Sequence, residues 1–71
     1  MNVFSLDCEY NQPSHKTIEI GAAAYKAVTG DLIETFHTYV NPGEMISQDP
    51  ERDIVKLTGV TDELVKDAPK I

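Results

Sequence analysis

Apolar and polar positions alternate through the first part of the chain, and the rhythm then changes. "NVFSL" (2–6) is short, apolar and rich in strand formers, and it predicts a first strand continuing to about Glu9. "NQPSHK" (11–16) gathers Asn, Pro and Ser and marks a turn. "TIEIGAAAY" (17–25) sets Ile18 and Ile20 on one side and Thr17 and Glu19 on the other, as a second strand does. The alanine run also suits a helix, but Gly21 and the short length disfavour one. Gly30-Asp31 suggests a tight hairpin turn, "LIETFHTYV" (32–40) a third strand, and "NPGE" (41–44) its end. Strands joined by such short links form an antiparallel meander.

After this the period becomes helical. "DPERDIVKLTG" (49–59) places Pro50 at a helix start with acids in the first turn, and Ile54, Leu57 and Val55 as an apolar stripe. Gly59 closes that helix. Thr61 is an N-cap for a second short helix with Asp62 and Glu63 in its first turn, Leu64 and Val65 on its apolar side, and Pro69 as its stop. Three strands followed by one or two short helices define an α/β arrangement. The helices cover only part of the row Ile18, Ile20, Ala22, Ala24, so the chain resembles the front half of a layered α/β domain.

Composition narrows the classes. The sequence has 71 residues, room for at most one domain, and its apolar share of 41% suits a globular fold. Cys8 is the lone cysteine, which excludes an internal disulfide and fits a reducing compartment, so a cytoplasmic location is expected. No basic start and apolar run suggest a secretory leader, and no stretch has the length of a membrane span. The net charge of −6 argues against a phosphate-binding surface, because nucleic-acid binders carry a basic footprint.

Against that background, the end of the first strand is unusual. Residues two apart on a strand share a face, so Asp7 and Glu9 stand side by side, about 7 Å apart along the backbone. Two carboxylates so placed repel unless a cation intervenes. Mg²⁺ or Mn²⁺ would resolve the conflict, being hard cations that take carboxylate oxygens and keep several waters. The bland alternative is a solvated strand end, with Lys16 or Lys26 as a surface partner worth little. Cys8 points to the opposite face and is expected to pack in the core. His37 is expected on the sheet surface; His15, in the first turn, is a weaker candidate for a phosphate contact.

The four segments "FSLDCEY", "TIEIGAAAY", "TFHTYVNPGEMIS" and "LTGVTDELVKDAP", in this order, resemble the DEDD superfamily of 3′-to-5′ exonucleases, the DnaQ-like branch of the ribonuclease H-like fold. The resemblance runs over nearly the whole chain. It implies the N-terminal part (residues 1–71) of a single exonuclease domain and a mechanism using two Mg²⁺ or Mn²⁺ ions. Asp7 would contact both ions and Glu9 the one that activates water, releasing a nucleoside monophosphate from a single-stranded or frayed 3′ end of DNA or RNA. It also implies substrate-side roles for Cys8, Tyr10, Leu57 and Gly59, with Tyr10 standing where many members have Thr, either stacking on a base or sugar or filling the rim as an ordinary surface aromatic. Bound cations answer the charge objection, because they bring the positive charge that the protein lacks.

The family's two further acids, and a His or Tyr general base a few residues before the last of them, have no counterpart among Glu44, Asp49, Glu51, Asp53, Asp62, Glu63 and Asp67. The expectation is a piece of an exonuclease with negligible activity alone. Two alternatives follow from the same observation: a non-catalytic binding or assembly module that keeps the front of the fold, and a truncated remnant. An exposed strand edge makes homodimers a further expectation.

Overall fold

The computed structural model describes residues 1–71, and the three predicted strands are present as β1 (Asn2–Tyr10), β2 (Thr17–Lys26) and β3 (Leu32–Tyr39). They form an antiparallel sheet in the order β1-β2-β3, leaving the outer edge of β1 unpaired. Cys8 lies opposite Ile20, Asp7 opposite Gly21 and Glu9 opposite Glu19, and on the other side Gly21 lies opposite His37 and Glu19 opposite Tyr39. A bulge interrupts the ladder between Glu9 and Tyr10, at the end of β1. The β2–β3 turn is wider than the tight Gly30-Asp31 turn expected. The Lys26 N–H bonds to the Asp31 carbonyl at 2.9 Å, enclosing residues 27–30, with Gly30 taking the left-handed φ of 76°.

The predicted helix over 49–59 is shorter than its pattern suggested. Gln48–Asp49 (β4) and Arg52–Asp53 (β5) pair as a miniature hairpin, and Pro50 sits in its turn rather than at a helix start. Helix α1 (Ile54–Thr58) begins only where Asp53 Oδ1 accepts the Lys56 N–H at 2.9 Å. Asp53 is thus the cap, and the acids before it belong to the hairpin. Gly59 ends α1 as expected, with φ 77° and its N–H bonded to the Val55 carbonyl. Thr61 caps α2 (Asp62–Val65), accepting the Leu64 N–H at 3.3 Å.

One small core organises these parts. Ile18, Ile46, Ile54, Val60 and Val65 are buried together, with Tyr39 and Val55 packed against them. It lies where one end of β2 meets the segment before α1 and both helices. Leu57 and Leu64, expected on the apolar side, are instead exposed, because a five-residue and a four-residue helix each turn little more than one side inward. Further along the sheet Phe4, Leu6 and Phe36 remain exposed. Only 8 of 71 residues are buried, and the radius of gyration is 14.5 Å against about 11 Å for a compact chain of this length. The strands therefore project beyond their core, as expected of a sheet covered over only part of its area. Three antiparallel strands, a miniature hairpin and two short helices make up the architecture.

Candidate metal and nucleotide site

β1 is regular through Asp7 and Glu9, so both side chains leave the same face. Asp7 is exposed and Glu9 half-buried, and neither has an ion-pair or side-chain hydrogen-bond partner. The chain's lysines do not neutralise them: Lys16 reaches Glu44 at 3.7 Å and Lys66 reaches Glu63 at 2.7 Å. Across the ladder from Asp7, Gly21 contributes no side chain. A Cβ there would meet nothing nearer than the Asp7 carbonyl oxygen at 3.8 Å, so the space beside Asp7 is open.

Glu19 stands opposite Glu9, which would set a third anion into the group. It is occupied elsewhere. His37, two residues along β3 from Tyr39, lies with Nε2 2.5 Å from Glu19 Oε2. Tyr39 packs edge-on against the His37 ring, with centroids 5.0 Å apart. His37 is therefore a sheet-surface residue, as the sequence suggested, and it leaves Asp7 and Glu9 as the unpartnered carboxylates of this face. No group of three or more His, Cys, Asp or Glu side chains surrounds one point, so this chain supplies two carboxylates and not a complete coordination shell.

Cys8 is corrected from core to half-buried sheet surface. It shares its face with exposed Leu6 because the core stops short of this row. Its side chain leaves the face opposite Asp7 and Glu9. Tyr10, at the end of β1, is half exposed. Interaction with the Cys8 side chain pushes its phenol above the ordinary value, and Asp7 and Glu9 add to the shift by disfavouring a further anion. Leu57 is exposed on α1, and Gly59 is exposed at the left-handed turn between α1 and α2. Leu57 borders a shallow groove with Pro50, Arg52 and Lys56; Asp7 and Glu9 line none of the surface hollows, so no single pocket unites the strand residues with Leu57. His15 adopts φ 65° in the β1–β2 turn and borders a different hollow with Lys16 and Asn41.

Residues 4–71 match the RNase_T family model, described as Exonuclease. The chain belongs to this exonuclease family. Its curated relatives include DNA polymerase III PolC-type proteins. That of Caldanaerobacter subterraneus is 46% identical over 54 residues, covering 76% of this chain and 3% of the relative. That of Staphylococcus aureus is 38% identical over 66 residues, covering 93% of this chain and 4% of the relative. A solved full-length 3′-exonuclease superposes with a TM-score of 0.81 at 22% identity, over 99% of this chain and 25% of that one. The exonuclease-family chain thus spans a small part of the proteins it resembles, and it shares their DnaQ-like fold.

Sequence reasoning missed one residue at the site's border. Asn11, two positions after Glu9, is 1% exposed. Its Nδ2 donates to Glu44 Oε2 at 2.5 Å and to the Met45 carbonyl at 2.9 Å, while Oδ1 accepts the Ser47 N–H at 2.9 Å. Within "NQPSHK" it looks like ordinary turn material, and nothing local marks partners more than thirty residues away.

Proposed function

We propose that Asp7 and Glu9 are this chain's contribution to a Mg²⁺ or Mn²⁺ site in a 3′-to-5′ exonuclease, acting on the single-stranded or frayed 3′ end of DNA or RNA. One observation carries this reading: two unpartnered carboxylates share a strand face in a member of an exonuclease family. The donor set fits a hard cation, being all oxygen, open to solvent, beside the gap at Gly21, and free of any competing lysine or arginine. Asp7 would touch both ions of a two-metal site and Glu9 one. Such ions, when bound, supply an activated water and charge stabilisation for displacement at phosphorus.

The other residues act around that centre. Tyr10 offers a ring for stacking on the terminal base or sugar. Leu57 and the Gly59 backbone border the same nucleotide, and Cys8 serves through its strand position rather than its side chain. With two carboxylates and no general base, residues 1–71 would form the N-terminal part of one exonuclease domain and be inactive alone. No helix is long and apolar enough to cross a membrane, and the lone cysteine fits a cytoplasmic setting.

The test is a Mn²⁺ titration of the chain beside its Asp7→Asn and Glu9→Gln variants. Saturable binding that weakens in both variants is the expected result. Binding that survives Asp7→Asn unchanged would overturn the assignment.

A further inference from the structure

We propose that Asn11 is a positioning residue, which ties the strand end carrying Glu9 and Tyr10 to the segment that sets the orientation of α1 and the Gly59 turn. The proposal rests on the preceding reading for its functional meaning, but its geometry stands independently. Three side-chain bonds hold Asn11 to residues 44–47, and two backbone bonds, Asn11 N–H to the Lys16 carbonyl at 2.8 Å and His15 N–H to the Asn11 carbonyl at 3.0 Å, anchor it in its own turn. Every polar group of this buried amide is therefore engaged, which makes its orientation unique.

The 44–47 segment is itself a junction. The Ser47 carbonyl accepts the Ile54 N–H at 2.9 Å, at the head of α1. The Ile46 N–H donates to Asp62 Oδ1 at 2.8 Å, in the first turn of α2, while the Ile46 side chain lies in the core. A continuous path thus runs from Glu9 through Asn11 and residues 45–47 to both helices that flank Gly59. β1 itself has no broad packing against either helix, so apart from the core around Ile18 of the neighbouring strand, Asn11 is its polar tie to them. Glu44 reinforces the path from outside, accepting from Asn11 and from Ser14 Oγ at 2.6 Å and facing Lys16. The consequence is that the carboxylate pair and Leu57 keep a fixed separation, which a nucleotide spanning both requires.

The lone cysteine allows a test that contains no metal. A nitroxide on Cys8 sits between Asp7 and Glu9 in sequence, and its paramagnetic effect on the Leu57 methyl signals reads the separation. Asn11→Ala should cause a loss of that enhancement as the two parts drift apart. Val40→Ala, which trims a buried side chain outside the five-residue core cluster and touches none of the Asn11 side-chain bonds, should preserve it at the same folded fraction. Glu44→Ala, a milder change, should move it in the same direction as Asn11→Ala and keeps the test valid if Asn11→Ala does not fold. Unchanged Leu57 signals in the Asn11 and Glu44 variants, or an equal change in Val40→Ala, would overturn the proposal. Failure of the cation reading would appear separately, in the Mn²⁺ titration.

Discussion

Asp7 and Gly21 face each other across the β1–β2 ladder, and the glycine keeps the space beside the carboxylate clear. Nothing packs there that would forbid a methyl group. Gly21→Ala should therefore stabilise the chain by about 0.5–1 kcal/mol, the usual cost of glycine inside a strand. Gly21→Leu should keep the fold but crowd the space where a cation bound to Asp7 would carry its waters. Thermal melts with and without Mn²⁺ separate the two effects: the alanine variant melts higher in both, and the leucine variant loses the increment due to Mn²⁺.

Neutralising Asp7 should change stability with opposite sign in the two conditions. Without divalent ions, Asp7→Asn removes a repulsion between the exposed Asp7 and the half-buried Glu9, and its effect should stay within about 0.5 kcal/mol on the stabilising side. With Mn²⁺ in excess, the native chain gains binding free energy that the variant forgoes, so the order of melting temperatures reverses. Melts that keep the same order in both conditions would contradict the cation assignment.

Glu44 predicts an acid-sensitive latch. The Ser14 hydroxyl, then the Asn11 amide and Lys16, hold its carboxyl below the ordinary carboxylate value, against an opposing effect of burial. A group whose folded value is depressed contributes stability above its unfolded value and loses it as pH falls through the folded one. The stability difference between the native chain and Glu44→Gln should thus be largest near neutral pH and vanish in strong acid. A difference that does not vary with pH would remove the carboxylate from the account.

The outer edge of β1 carries unpaired backbone groups beside exposed Phe4 and Leu6. Such an edge invites strand addition, so we expect concentration-dependent dimerisation in sedimentation experiments. Leu6→Lys, which places a charge on that strand, should shift the equilibrium toward monomer while leaving the core intact.

The local pattern carried most of the architecture and the shared strand face of the candidate carboxylate pair. Strand alternation placed Asp7 and Glu9 together because a period of two leaves no freedom once a strand is granted, and Gly59 and Thr61 marked their helix ends through backbone chemistry that acts within a few residues. The helix over 49–59 failed because Gln48–Asp49 and Arg52–Asp53 pair with each other, so the first turn was consumed by a hairpin that helical propensity cannot reveal. Cys8 failed as a core residue, and Leu57 of the apolar stripe stayed exposed, because burial depends on what covers a face, and the small core ends before reaching them. Asn11 and the Glu19–His37 pair belong wholly to tertiary structure. Their partners lie 18 to 36 residues distant, and only closure of the chain brings donor and acceptor within reach.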